Sequence, residues 1–178
     1  MIQIPANFLG PDPGTSKART MGDLDVIVGD LREVAEWGLR EDPPVRFTYE
    51  ALAWSTHVDT WGACWEVVQR VDRANFGICL DTFNLAGRVY ADPAVRGGKM
   101  VNADAHLRAS LARLVATVDA RKFAFEEDRD GYLPILAVAR AFFDLGFEGW
   151  VSLELFSRST ADPKPDTPVV HARREAES

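Results

Sequence analysis

The feature that most constrains this chain is a device that occurs three times, a short apolar segment that stops at an acid. In residues 76–88, Phe-Gly-Ile-Cys-Leu-Asp-Thr-Phe-Asn-Leu-Ala-Gly-Arg, Ile78 and Leu80 alternate with Gly77, Cys79 and Asp81. A period of two places the bulky side chains on one strand face, and the small ones with the acid on the other. Thr48-Tyr49-Glu50 within 46–52 and Ser152-Leu153-Glu154 within 150–156 repeat the arrangement. In every copy a small residue two places before the carboxylate leaves room on the face to which the acid points.

Parallel strands closed into a barrel bring their carboxyl ends to one mouth, where Glu50, Asp81 and Glu154 would share a small volume. Three carboxylates at close quarters repel and are costly to desolvate, so they require protons or a cation between them. A divalent metal answers that requirement. The plainer alternative is that each acid caps a helix or faces solvent just past its strand, as most Asp and Glu do.

Around these segments the hydrophobic spacing predicts strands at 1–5, 46–52, 76–81 and 149–155. Helices are expected at 23–39, 61–70, 103–118 and 132–145, the first carrying Leu24, Ile27, Leu31, Val34 and Ala35 at helical spacing. Residues 9–21, rich in Gly and Pro, read as a long loop of the kind that carries function at a barrel mouth, and 87–101 as a polar, Gly-containing connection. Strand, loop, helix, strand is the order of an α/β fold with a parallel sheet. The alternation fails between 119 and 131, where one helix follows another with no strand pattern between them. A chain that opens inside a strand and skips another reads as a partial barrel over 1–156, followed by a loosely docked polar tail over 157–178.

Composition narrows the function classes. The 178 residues are 47% hydrophobic and 26% charged, which suits one globular domain. Net charge is −7 and the cations are scattered among acids, an arrangement that argues against nucleic acid and leaves a small-molecule substrate open. No apolar run is long enough to span a membrane and no signal-peptide pattern is present, so the expected location is cytoplasmic. Cys64 and Cys79 lack Cys-x-x-Cys spacing and read as buried thiols of a reducing compartment. Trp61 and Trp65 share a helix face and are expected in the core, His106 at the surface, and His57 on the loop after Glu50 as either a solvated or a substrate-contacting imidazole.

Three stretches together resemble the fungal-type 3-dehydroshikimate dehydratases of the xylose isomerase-like, sugar phosphate isomerase/epimerase superfamily of TIM barrels. They are Tyr-Glu-Ala-Leu-Ala-Trp-Ser-Thr-His-Val-Asp-Thr-Trp (49–61), Gly-Ile-Cys-Leu-Asp-Thr-Phe-Asn-Leu-Ala-Gly-Arg (77–88) and Gly-Trp-Val-Ser-Leu-Glu-Leu-Phe (149–156). The resemblance implies a (β/α)8 barrel, here lacking its first strands and one internal strand near 118–123, which would take a Gln metal ligand with it. It implies a lyase of quinate and shikimate catabolism that converts 3-dehydroshikimate to protocatechuate and water. It also implies a divalent cation, Mg²⁺, Mn²⁺ or similar, held by Glu50, Asp81 and Glu154 and polarising the substrate ketone.

His57 matches a pocket histidine of the Trp-x-x-His stretch and is the candidate catalytic base. Asn84, standing where bacterial relatives carry His, is the candidate substrate-binding amide, since an amide can hydrogen-bond a hydroxyl or carboxylate but cannot shuttle a proton. A sugar isomerase or epimerase of the same superfamily and a non-catalytic remnant are the alternatives. An endonuclease of that superfamily is disfavoured by the acidic balance and the few His residues.

Overall fold

The computed structural model describes residues 1–118 and 135–146, with isolated positions 164, 166, 167, 169, 170 and 173. Within them β1 (Ile2–Pro5), β2 (Phe47–Glu50) and β3 (Phe76–Cys79) form a parallel sheet in the order β1-β2-β3. The helices are α1 (Leu24–Leu39), α2 (Trp61–Val71), α3 (Thr82–Tyr90), α4 (Ala103–Thr117) and α5 (Ile135–Asp144). Consecutive strands are neighbours, each reached through a crossover helix, which is the βαβ repeat of a barrel wall.

Register decides which residues share a face. Ile2, Phe47 and Phe76 lie abreast, Gln3 is opposite Thr48, Thr48 is opposite Gly77, and Glu50 is opposite Cys79. Phe47, Tyr49, Phe76 and Ile78 face the helices and are buried against Val28, Leu31 and Ala35 of α1 and Cys64, Val67, Val68 and Val71 of α2. Each fully buried aliphatic or aromatic side chain of this kind contributes about 1.5–3 kcal/mol. The opposite face carries Gln3, Thr48, Glu50, Gly77 and Cys79, so the small-then-acid alternation has the geometric consequence expected of it.

Helix ends are closed by local chemistry. Asp23 accepts from the amides of Asp25 and Val26 at the start of α1, and Thr60 accepts from Ala63 at the start of α2. At the far end of α2, Arg32 donates to the carbonyls of Arg70 and Val71, fastening α1 to the carbonyl-rich terminus of its neighbour. Trp61 is buried and Trp65 is packed against the core, while His106 is exposed, all as the spacing predicts.

Three expectations need correction. The strands are shorter at the mouth than predicted: β2 ends at Glu50 because Leu52–Ser55 closes a turn, and β3 ends at Cys79. Residues 82–90 form α3, whose last turn, 87–90, falls in the stretch expected as loop. Asn84 and Gly87 weaken its intrinsic helix propensity, but burial of Leu85, Ala86 and Tyr90 overrides that weakness. Cys79 is only partly buried, because it lies on the mouth-facing side of β3. The predicted strand at 149–155 with Glu154, the region 119–131 and most of the tail lie outside the described residues.

Candidate active site at the strand mouth

Glu50 is the last residue of β2 and is 4% exposed, unusual burial for a carboxylate. Both of its oxygens receive neutral amide N–H groups. Gln3 Nε2 donates to Oε2, and Asn84 Nδ2 donates to Oε1 at 3.3 Å. Gln3 can do so because it occupies the same face of the neighbouring strand, two places before the residue abreast of Glu50.

Asp81 lies two residues beyond β3 in extended conformation (φ −95°, ψ 132°) and caps α3, its Oδ1 accepting from the Asn84 amide at 2.6 Å. The plainer reading of this acid, a helix cap, is therefore realised. Capping does not exclude ligation, since each carboxylate oxygen carries two lone pairs. The cap also sets the phase of α3 so that Asn84 arrives beside Glu50.

Asn84 joins three segments. Its backbone meets Asp81, its Nδ2 meets Glu50, and its Oδ1 accepts from the backbone N–H of Ala53 at 2.9 Å. Its side chain is engaged with protein partners and holds the loop after β2 against α3. Leu80, Asp81, Asn84, Leu85, Ala51, Cys79 and Trp61 line a small cavity beneath this junction.

His57 stands at the rim, exposed, with Nε2 2.9 Å from Thr20 Oγ1. Gly22 packs under the ring, where a Cβ would come within 2.7 Å of Nδ1. The loop carrying His57 is tied to the long first loop by Thr56, whose amide and hydroxyl donate to the carbonyls of Asn7 and Leu9. The structure thus brings Glu50, Asp81 and Asn84 together and leaves His57 bonded to the first loop. Gln3 escaped the sequence reading. The alternation Ile2-Gln3-Ile4 separates it from its apolar neighbours, but only strand register reveals that it meets Glu50.

Behind the sheet the titrating groups are pushed away from activity. Burial raises the Tyr49 hydroxyl to about 12 and raises the Cys64 thiol still further, and Cys64 Sγ donates to the Tyr49 carbonyl at 3.2 Å. Cys64 is therefore an inert core thiol.

The donor set at the mouth is all oxygen, carboxylates with amide neighbours, which matches a hard divalent cation better than a thiolate- or imidazole-rich site would. Among the described residues no group of three His, Cys, Asp or Glu side chains is gathered closely enough to hold a metal ion. Glu50 and Asp81 are two of the three expected ligands, and the third falls outside those residues.

A parallel βαβ wall with acids at its carboxyl-terminal edge is the architecture of an α/β barrel, the class of protein whose sites lie at the strand mouth. The xylose isomerase-like TIM barrel family matches residues 1–176, and the chain belongs to that family. It is 43% identical over 216 aligned residues to the 3-dehydroshikimate dehydratase of Neurospora crassa, covering 99% of this chain and 58% of that protein. It is 32% identical to the 3-dehydroshikimate dehydratase of Pseudomonas putida, covering 79% of this chain and 22% of that one. The chain thus spans just over half the length of the fungal relative.

Among solved structures, the IOLI protein with a binding zinc atom superimposes with a TM-score of 0.62 at 18% identity, covering 98% of this chain and 61% of that one. D-psicose 3-epimerase in the presence of D-fructose gives 0.56 at 18% identity, with 89% and 51% covered. At such identities the likeness speaks to fold.

Proposed function

We propose that this chain carries the acid site of a divalent-metal-dependent 3-dehydroshikimate dehydratase, a carbon–oxygen lyase. The observation that carries the reading is the buried Glu50, held by Gln3 and Asn84 beside the capping Asp81, in a chain 43% identical to a protein of that name. In this reading Glu50, Asp81 and Glu154 hold the cation, and Asn84 is a positioning residue that fixes the Glu50 carboxylate. When bound, the cation supplies Lewis-acid polarisation of the substrate ketone.

The reaction balances simply. A proton leaves the carbon next to the ketone, the β-hydroxyl departs as water, and tautomerisation yields the aromatic catechol acid. Aromatisation drives the step, so the protein has mainly to lower the deprotonation barrier. His57, at the rim, is the proton acceptor in this proposal, and reaching the pocket would require the Thr20 hydrogen bond to open.

The aligned stretch of 216 residues exceeds the 178 of this chain, so the Neurospora protein contains positions inside the match with no counterpart here. That difference supports a barrel shorter than the fungal one and makes activity of the isolated chain a direct question. No helix among the described residues is long and apolar enough to cross a membrane.

The test is incubation of the purified chain with 3-dehydroshikimate and Mg²⁺ or Mn²⁺, following the ultraviolet absorbance of protocatechuate. Product that disappears on chelation and returns with metal supports the proposal. Absence of product with every divalent metal, or turnover of a ketose by protein inert to dehydroshikimate, overturns it.

A further inference from the structure

The loop after Glu50 carries an unexplained aromatic. Leu52–Ser55 is a four-residue turn closed by the Ser55 amide on the Leu52 carbonyl at 2.9 Å, and its third position has φ +63°. Turn chemistry gives such a position to Gly or Asn, and a bulky aromatic there is a genuine backbone outlier. The occupant is Trp54, 37% exposed, so its conformation is not compensated by deep burial. An outlier of this sort, held at the edge of a site, points towards function.

Two features hold the ring in place. Gly87 lets it lie on α3, since a Cβ there would come within 3.2 Å of both the Trp54 ring and Ala53 Cβ. Asn84 Oδ1 anchors the Ala53 amide next door, and the same side chain holds Glu50. Against Trp54 stands Phe83, 50% exposed in the first turn of α3, with ring centroids 6.0 Å apart and planes inclined at 73°. Two large exposed aromatics thus flank Asn84, the residue that touches the buried acid.

We propose that Trp54 and Phe83 form the apolar wall of the substrate pocket, taking the face of a flat six-membered carbocyclic ring and favouring it over an open-chain or fully puckered polyol. The proposal rests on the dehydratase reading for the location of the pocket. Its chemistry follows from the rings: an aromatic face or edge gains contact with a planar ring beyond simple area burial, and gains less from a hydroxyl-studded chain. Trp54 and Phe83 are specificity-determining here, with the reacting bonds left to the polar groups of the mouth.

The experiment uses the 178-residue chain and its variants Trp54→Ala, Trp54→Phe and Phe83→Ala. Calorimetry gives the Kd of protocatechuate, turnover gives KM and kcat, and circular dichroism checks the fold. Trp54→Ala is expected to raise Kd and KM about tenfold with kcat within about twofold, and Trp54→Phe to restore most of the loss. Phe83→Ala should raise Kd about threefold, and it carries the test if Trp54→Ala does not fold.

An unchanged Kd in Trp54→Ala, or in Phe83→Ala where only that variant folds, overturns the inference and leaves the dehydratase reading standing if the wild type turns over. A wild type that binds protocatechuate through Trp54 without turnover upholds the inference and overturns the dehydratase reading. A wild type that neither binds protocatechuate nor turns over overturns both.

Discussion

Two asparagines at opposite ends of the same sheet make different use of the same side chain. Asn75, just before β3, is buried and donates through Nδ2 to the carbonyls of Ala35 and Val45, both at 2.8 Å. Nearby, Arg73 pairs with Glu36 and Arg32 closes the end of α2, so that end of the sheet is a set of side chains joining α1 to its neighbours. Asn84, at the carboxyl-terminal end, has one donor turned onto a buried acid and its acceptor onto a loop amide. The first asparagine closes backbone. The second holds a charge in position, which is the division between the stability end and the functional end of a parallel barrel.

The strongest way to break the comparison is Glu50→Gln. It keeps the shape and one accepting oxygen, removes the charge and turns an NH2 towards one of the two amide donors, so dehydratase turnover should fall at least about a hundredfold while the thermal melt stays cooperative. Retained turnover would reduce the mouth to structure.

Next comes the asparagine pair. Asn75→Ala leaves one buried and one part-buried carbonyl without this donor and should cost about 1–3 kcal/mol in denaturant unfolding with kcat per folded molecule unchanged. Asn84→Ala should reverse that pattern, lowering turnover about 10–100-fold with the smaller stability loss. Equal effects of both on stability and turnover would erase the distinction.

A finer test separates capping from chemistry at Asp81. Asn is as good a cap as Asp, so Asp81→Asn should leave the melt near wild type, whereas Asp81→Ala should cost about 1 kcal/mol. Both should lose turnover if the second carboxylate oxygen binds a cation. An active Asp81→Asn enzyme would confine this acid to its role at the start of α3.

The smallest effect concerns the core side of β2. Tyr49 and Cys64 are neutral when protonated, and burial raises both above their ordinary values of 10.0 and 9.0. The unfolded chain therefore gives up these protons first, binds fewer of them above pH 9, and stability falls as pH rises from there towards about 12. Melts between pH 8 and pH 11 should show that decline, and Cys64→Ala should flatten its lower part.

Much of this architecture is legible in a single sequence because it depends on periodicity. The alternations at 46–52 and 76–81 predict β2 and β3, and the apolar stripe through Leu24, Leu31 and Ala35 predicts α1 with Asp23 at its start. The small-then-acid pattern places Glu50 on the correct face. Less legible was the last turn of α3, because Gly87 reads as a loop residue until its tertiary partners explain it. The placement of His57 was also hidden, since its hydrogen bond depends on Thr20, 37 residues earlier.

What the sequence determined alone is the alternation of strands and helices and the face on which each acid emerges, because both follow from side-chain direction along a local backbone. Tertiary structure decided what meets the acids at 50 and 81 and what holds them. Gln3 reaches Glu50 through strand register, Asn84 reaches it through a helix phased by Asp81, and Trp54 is exposed through a turn that local propensity disfavours. Each of these joins residues at least 30 positions apart or sets a conformation against local preference, so its energy arises only once the fold has closed.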